Sequence, residues 1–402
     1  MTLWLIILRS LRQHALSTVI TALSIALAGG LLMSVWVVKE QSQAAFTGVN
    51  GGFDAVLGAR GSKLQLVLNS IFHLENSPGN VSAADYFDIK KNPAVALAVP
   101  IAVGDNYHGY RLVGTIPEMF EQVEYGPGKH YELEPGGRFF DPARKEAVVG
   151  SFVAQKMGLK VGDTFHPYHG LIFNEKDQHA ETYVVVGVMK PSNTPSDRVI
   201  WIPLEGLQRM SGHDPKMATE VSAVLVKLKG GGTAGFRMDM MYNRQGDRLT
   251  FAWPIAATMT DLFSKISWFD KVLALVSYLV ALVATASILA SIYNSMNERR
   301  REIAILRALG ARRRIIFGAI ILEAAAISAL GMLAAFAFYW AIMTGATAVI
   351  RAQTGIMLEP FQFNLVMLWA PAALIALGAL AGVVPAVKAY RTDVAGHLVP
   401  SS

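Results

Sequence analysis

The chain has 402 residues, of which 52% are hydrophobic and only 16% charged. Soluble domains carry about 25% charge, so this composition excludes disorder, collagen-like repeats and a purely soluble enzyme. The absence of cysteine excludes disulfides, thiolate metal sites and a cysteine nucleophile. A net charge of +6 raises nucleic-acid binding only until the charges are located.

Four stretches are long enough to cross a bilayer: Ser17–Val38, Val272–Tyr293, Ile315–Thr344 and Leu365–Val387. The shortest, residues 17–38 and 272–293, would each extend roughly 33 Å against a hydrocarbon core of about 30 Å. Residues 1–16 form a short basic lead with Arg9 and Arg12. Ser42-Gln43-Ala44 has the small-x-small form of a cleavage site, but the apolar run exceeds the roughly 7–15 residues of a signal h-region, which predicts a retained anchor. Ala22, Ala26, Gly29 and Gly30 give this span a face where another helix backbone can approach.

Residues 39–270 have ordinary mixed composition and predict an α+β body of two lobes. Asp54–Leu68, with Gly58, Gly61 and Leu64-x-Leu66-Val67-Leu68, predicts a helix that is either a lipid-side entrance or core. Ser82-Ala83-Ala84-Asp85 is a capping box that opens a helix to Lys91, closed by Asn92-Pro93. Tyr110–Thr115, Ala147–Gly150, Tyr183–Val188, Val199–Ile202 and Val221–Leu228 are β-branched or aromatic runs that predict strands. Ser151 starts a short helix ending at Gly158, and Pro203–Met210 makes another. From Pro254 the chain returns through Thr260–Ile266 at helical spacing, with either a continuous helix or a break at Ser267-Trp268.

The second span, 272–293, offers a small-residue face at Ala281, Ala284 and Ser287 that suits dimerisation together with the first. Residues 294–314 follow, then a third span at 315–344, an outer loop at 345–364, a fourth span at 365–387 and a tail at 388–402. Arg9, Arg12, Arg299, Arg300, Arg301, Arg307, Arg312, Arg313, Arg314, Lys388 and Arg391 fall in the three segments beside span ends, against Glu298, Glu302 and Asp393. Of 36 basic and 30 acidic residues this leaves 25 and 27 elsewhere. The basic excess therefore marks the cytoplasmic side, places 39–270 outside, and makes nucleic acid an unsuitable partner. Glu323 lies about two turns into the third span. It is either a proton or substrate site, or a carboxylate paired at the cytoplasmic boundary or packed between helices.

No Walker loop, H-E-x-x-H, G-x-S-x-G or G-x-G-x-x-G stands in the required context, which predicts a non-enzymatic chain. His73, His108, His130, His166, His169, His179 and His213 all lie in the outer segment. His166-Pro167-Tyr168-His169 followed by His179 is a weak zinc-ligand pattern, beside the reading of solvated loop histidines. No cofactor is expected in the chain itself. Glu298, Arg300, Glu302, Ile305, Leu306, Arg307, Leu309 and Gly310 make a basic helix with an apolar stripe. Such a helix either rests on anionic lipid or docks in a groove of a cytosolic protein.

Residues 295–331, Ser-Met-Asn-Glu-Arg-Arg-Arg-Glu-Ile-Ala-Ile-Leu-Arg-Ala-Leu-Gly-Ala through Ile-Leu-Glu-Ala and Leu330-Gly331, resemble the signature of the MacB/FtsX-type ABC transporter permeases. Glu146–Ser151 with Gly158 and Val161–Thr164, the Tyr183–Pro203 stretch, and Pro385-Ala386 through Asp393 resemble other parts of that family. The resemblance implies an inner-membrane permease dimer with the large domain in the periplasm. It also implies two separate cytosolic ATPase subunits that bind ATP and Mg, and it gives the basic helix an ATPase-coupling role. The resemblance implies a LolC/LolE-like membrane subunit without the fused ATPase domain of MacB. The resemblance leaves open export or extraction of a hydrophobic, lipid-linked or peptide substrate, with a periplasmic adaptor, carrier or substrate-binding protein. It equally leaves open a non-transporting mechanotransmitter, and a zinc-linked role.

Overall fold

Long apolar runs fold as long helices, and the computed structural model, which describes residues 3–298 and 311–391, shows this directly. In chain order the helices are α1 (Leu3–Gln13), α2 (Ala15–Gly48), α3 (Lys63–Ser70), α4 (Ala83–Lys91), α5 (Glu118–Glu121) and α6 (Ser151–Met157). They continue as α7 (Leu204–Gln208), α8 (Gly232–Asp239), α9 (Ile255–Glu298), α10 (Arg313–Thr354), α11 (Val366–Ala381) and α12 (Val383–Arg391). Among the described residues four spans are long and apolar enough to cross a membrane: Ala15–Gly48, Ile255–Asn294, Arg313–Thr354 and Val366–Lys388. Two compact units result, one of Met1–Gln41, Ile266–Ala348 and Leu358–Ser402, the other of Ser42–Lys265 and Val349–Met357.

In the membrane unit α10 is the helix against which others pack closest. A Cβ on its Gly331 would meet Ile25 Cβ at 2.7 Å and the Ala22 carbonyl oxygen at 2.8 Å, both on α2. Reciprocally, Gly29 of α2 abuts Met332 and Ala335, and Gly30 abuts Phe338 and the Ala335 carbonyl. On another side Gly378 of α11 faces Ser328, and Gly382 faces Ala324. Small residues thus bring backbones together where lipid supplies no hydrophobic drive. Hydroxyls within the helices bond back one turn, as Ser34 does to the Gly30 carbonyl at 2.7 Å and Ser287 to that of Val283 at 2.9 Å, so their polarity is met locally.

Several residues of the expected dimer face pack within the chain itself. Ala26, Gly29 and Gly30 are buried, and the two glycines are covered by the chain's own α10. Ala281 and Ala284 are also buried, while the sides of α2 and α9 left exposed carry Leu23, Leu27, Leu275, Leu279 and Leu282. Within the stretch expected as an outer loop, 345–364, α10 continues to Thr354 and stops at Gly355, whose φ of +79° suits glycine. Helix α9 is unbroken through Ser267-Trp268.

The outer unit is built on one mixed sheet. The strands of the unit, of which β2 pairs only with β12 and β5 only with β6, are β1 (Ala55–Ala59), β2 (Val81–Ser82), β3 (Val95–Tyr107), β4 (Tyr110–Thr115), β5 (Glu124–Gly126), β6 (Lys129–His130) and β7 (Glu146–Val149). Then follow β8 (Thr164–Phe165), β9 (Tyr168–His169), β10 (Tyr183–Val188), β11 (Ile200–Pro203), β12 (Glu220–Val221), β13 (Ala223–Leu228) and β14 (Leu249–Ala252). The order is β14-β1-β13-β3-β4-β11-β7-β10-β8, with β9 also on β3. Side chains alternate between faces. One face carries a single core through both halves, including Val56, Val99, Val113, Val148, Trp201 and Leu225. The other carries two separate cores, one around Leu57, Val224, Val226 and Phe251 and one around Leu112, Val149, Tyr183 and Ile200. Two lobes thus exist on one side of the sheet only. The Asp54–Leu68 segment, expected as a helix, is β1 followed by the start of α3, and Leu66 and Val67 of α3 are fully buried in the core.

Glycine contacts on α10 give a signed test. Gly331→Ala forces Ile25 and the α2 backbone aside, and overpacking of this kind costs about 1–3 kcal/mol. Gly318 has nothing within 4 Å of its would-be Cβ, so Gly318→Ala gains up to about 1 kcal/mol of helix propensity. Thermal unfolding of the full chain in detergent should move down for the first variant and unchanged or up for the second.

Candidate functional site

The candidate residues fall in four places. Arg300, Glu302, Ile305, Leu306, Arg307, Leu309 and Gly310 lie outside the described residues, and Glu298 is the last residue of α9. Glu323 is half-buried on α10 and accepts a hydrogen bond from the Ser10 hydroxyl of α1, so the carboxylate is engaged between helices. His166 turns to the Glu181 carbonyl oxygen, 3.0 Å from its Nδ1. His169 and His179 are brought together, with two partners the sequence pattern did not single out, Asp105 and His213.

That cluster is assembled by backbone register. Strand β3 shifts register between Val103 and Asn106 against β4, and on its other pairing Asp105 stands opposite His169 of β9. His179 follows a short 3-10 turn and is tied in by its N–H to the Pro167 carbonyl at 2.9 Å. His213 follows α7, its N–H bonded to the Met210 carbonyl at 3.2 Å. The Asp105 Oδ1 then lies 3.1 Å from His213 Nε2, 3.3 Å from His179 Nε2 and 3.5 Å from His169 Nδ1. Asp105 is fully buried, and its Oδ2 has no hydrogen-bond partner. The far nitrogens of two rings are fixed, His179 Nδ1 2.8 Å from the Ser211 carbonyl oxygen and His213 Nδ1 3.0 Å from that of Leu207. A carbonyl only accepts, so each Nδ1 carries a proton and each ring turns its Nε2 toward Asp105. His169 keeps its side chain 55% exposed and forms the open side. The hydrogen bond that Asp105 accepts from His213 Nε2 is the largest cause raising the His213 imidazole above its ordinary range.

A second polar concavity of about 230 Å³ is lined by His73, Arg111, Arg198, Gly109 and Gln353 among others. Arg111 donates from Nη1 to the Glu75 carbonyl at 2.7 Å, and the buried Arg198 Nε has no partner. Burial, then Arg198, bring Arg111 down to about 10, and burial lowers Arg198 as well. His73, in the left-handed region at φ 55° and edge-on to Trp201, is pulled down to about 3 by burial and then by the two arginines. Among the described residues no carboxylate forms an ion pair with either guanidinium. The concavity is therefore electropositive and held by neutral histidine.

Four apolar spans around an extracytoplasmic α+β body define a multi-pass inner-membrane protein with its large domain outside. The sequence matches the MacB-like periplasmic core domain over residues 18–235 and the FtsX-like permease C-terminal domain over 274–394. The chain belongs to the MacB/FtsX family of ABC-transporter permeases, membrane subunits that work with a cytosolic ATPase. Among solved structures it is similar to the periplasmic region of MacB from Actinobacillus actinomycetemcomitans, at 12% identity and TM-score 0.35, covering 53% of this chain and 94% of that one. It is also similar to the extracellular domain of the noncanonic ABC-type transporter YknZ from Gram-positive bacteria, at 17% identity and TM-score 0.31, covering 49% and 97%. No curated protein sequence matches.

The depressed His73 sets a pH dependence. The unfolded side chain takes its proton near 6.5 and the folded one only near 3, so between these values the unfolded state holds the extra proton. Stability from this group is complete above pH 6.5 and falls as pH drops toward 3, by up to about 1.4 kcal/mol per pH unit. Denaturant unfolding followed by tryptophan fluorescence should show this slope in the wild-type chain and a shallower one in His73→Phe. Equal slopes would contradict the assignment.

Proposed function

We propose that this chain transmits force between a cytosolic ATPase and its own outer domain. Two copies of a separate ATPase, binding ATP and Mg, would serve two copies of this permease, in the arrangement of LolC/LolE-like subunits. The cycle moves the outer domains to export or extract a hydrophobic, lipid-linked or peptide substrate, with a periplasmic adaptor, carrier or substrate-binding protein at the far end. Family membership across both halves of the chain is the observation that carries this reading.

The contact with the ATPase is assigned to the segment from Glu298 to Ala311, which combines helix formers, an apolar stripe and arginines. Ile305 and Leu309 are one turn apart and act as anchors, whereas Arg300 and Arg307 sit at the rim. Buried anchors carry most of an interface, about 2 kcal/mol or more each, and rim charges less. In the outer domain the arginine-lined concavity suits an acidic group on the substrate or carrier. The second permease copy meets the exposed leucine faces of α2 and α9, since the small residues there are used within the chain.

Leu309→Glu should abolish pull-down of the cognate ATPase from membranes while the permease still inserts, and Arg300→Ala should weaken it only modestly. Lipid contact alone gives the reverse ranking, because each arginine contributes about 1 kcal/mol to an anionic surface. Arg111→Ala with Arg198→Ala should leave ATPase pull-down intact and remove function in cells. Full ATPase retention by Leu309→Glu would end the coupling assignment.

A further inference from the structure

Four potential ligand atoms, a carboxylate oxygen of Asp105 and one ring nitrogen each of His169, His179 and His213, converge within 4.8 Å of one another. The two buried rings turn Nε2 toward the same carboxylate oxygen at 3.3 and 3.1 Å. The other oxygen, Oδ2, is buried with no hydrogen-bond partner, so ring contacts alone do not satisfy the carboxylate. A divalent ion held by all four groups does.

The distances agree with this. Zinc binds imidazole nitrogen at about 2.0–2.1 Å and carboxylate oxygen at about 2.0–2.2 Å, so tetrahedral ligand atoms lie about 3.3 Å apart. The three nitrogen-to-oxygen separations here are 3.1, 3.3 and 3.5 Å. All four ligand atoms lie within 4.8 Å of one another, so the widest pair needs to draw in by at most about 1.5 Å. The outer shell fits as well. Histidine ligands donate their second ring N–H to a carbonyl or carboxylate, and His179 and His213 do so to the Ser211 and Leu207 carbonyls.

We infer that Asp105, His169, His179 and His213 form a four-coordinate zinc site in the outer domain. Three imidazoles and one carboxylate suit zinc and disfavour magnesium or calcium, which demand oxygen ligands. Four protein ligands fill the tetrahedron, so the ion is structural. Its ligands come from β3, from β9, from the stretch before β10 and from the loop after α7, and it fastens the 166–179 excursion to the sheet. His169 gives the ion its path of entry, being half-exposed while the other side chains are at most 5% exposed.

The experiment uses the full chain in detergent, stripped with chelator and then titrated with zinc against a chromogenic competitor. One equivalent should bind, thermal unfolding should move upward, and cobalt in place of zinc should give the intense visible absorption of a tetrahedral N/O site. His213→Ala should lose the ion. His169→Ala, on the exposed side and expected to fold, should weaken zinc at least tenfold, whereas His166→Ala should bind as the parent does. A folded stripped chain that takes no zinc at micromolar concentration would overturn the site and leave a hydrogen-bonded imidazolium–carboxylate group. Parent-like binding by His169→Ala would overturn it too. Neither outcome touches the ATPase pull-down that tests the permease reading.

Discussion

The outer domain depends on the backbone pairing of one strand. β3 runs 13 residues, and its first part is zipped to β13, from Leu228 opposite Val95 to Ala223 opposite Ile101. Its second part is zipped to β4, from Ala102 opposite Gly114 to Tyr107 opposite Tyr110. A buried backbone group left without a partner costs about as much as a lost hydrogen bond, so a strand between two halves must be paired along its length. The hand-over is made at Ala102, and the register then shifts between Val103 and Asn106, around Gly104. Such bulges turn a strand and re-aim its side chains. The same irregularity that lets one strand serve two sub-sheets sets Asp105 beneath the histidines.

In the membrane unit the controlling quantity is how closely backbones approach. Lipid tails are as apolar as leucine, so packing contacts decide which faces meet. The glycines at 29, 30, 331, 378 and 382 all sit where a Cβ would come to 2.8 Å or less of a neighbouring side chain. Glu323 is the one acidic residue on α10, and its Ser10 contact places the carboxylate at a helix–helix junction. Hydrogen bonding of this kind is how an ionisable group is tolerated inside a span.

Much of the fold was legible because the relevant signals are local. Ser82 caps α4 by accepting from the Asp85 N–H at 3.2 Å, α6 stops at Gly158 with φ 70°, and the Tyr110–Thr115 and Tyr183–Val188 strands appear with those bounds. Strand β3 was not legible. Pro100 and Gly104 look like breakers, yet Pro100 uses its carbonyl to accept from the Thr115 hydroxyl at 3.0 Å and Gly104 sits in the bulge. Small residues in α2 were visible, but which helix they meet is a matter of tertiary packing. For the histidines, spacing brought out His169 and His179. It could not supply Asp105 or His213, which lie 64 residues before His169 and 34 after His179 in sequence and meet only through the sheet.

The two polar sites of the outer domain also explain each other. Arg111 of β4 stands opposite Asn106 of β3, the residue next to Asp105. A guanidinium and a carboxylate so close in register would ordinarily pair and neutralise. Successive residues of a strand point to opposite faces, and among the described residues no ion pair joins Asp105 to Arg111. The sheet thus keeps one buried anionic centre and one electropositive concavity apart across a single thickness of backbone. Each must then be balanced by something other than the other, because an unpaired buried charge is costly. On the Asp105 side the chain supplies three imidazoles, a ligand set for a cation. On the Arg111 side it supplies a second arginine and a histidine kept neutral, which together leave room for an anion.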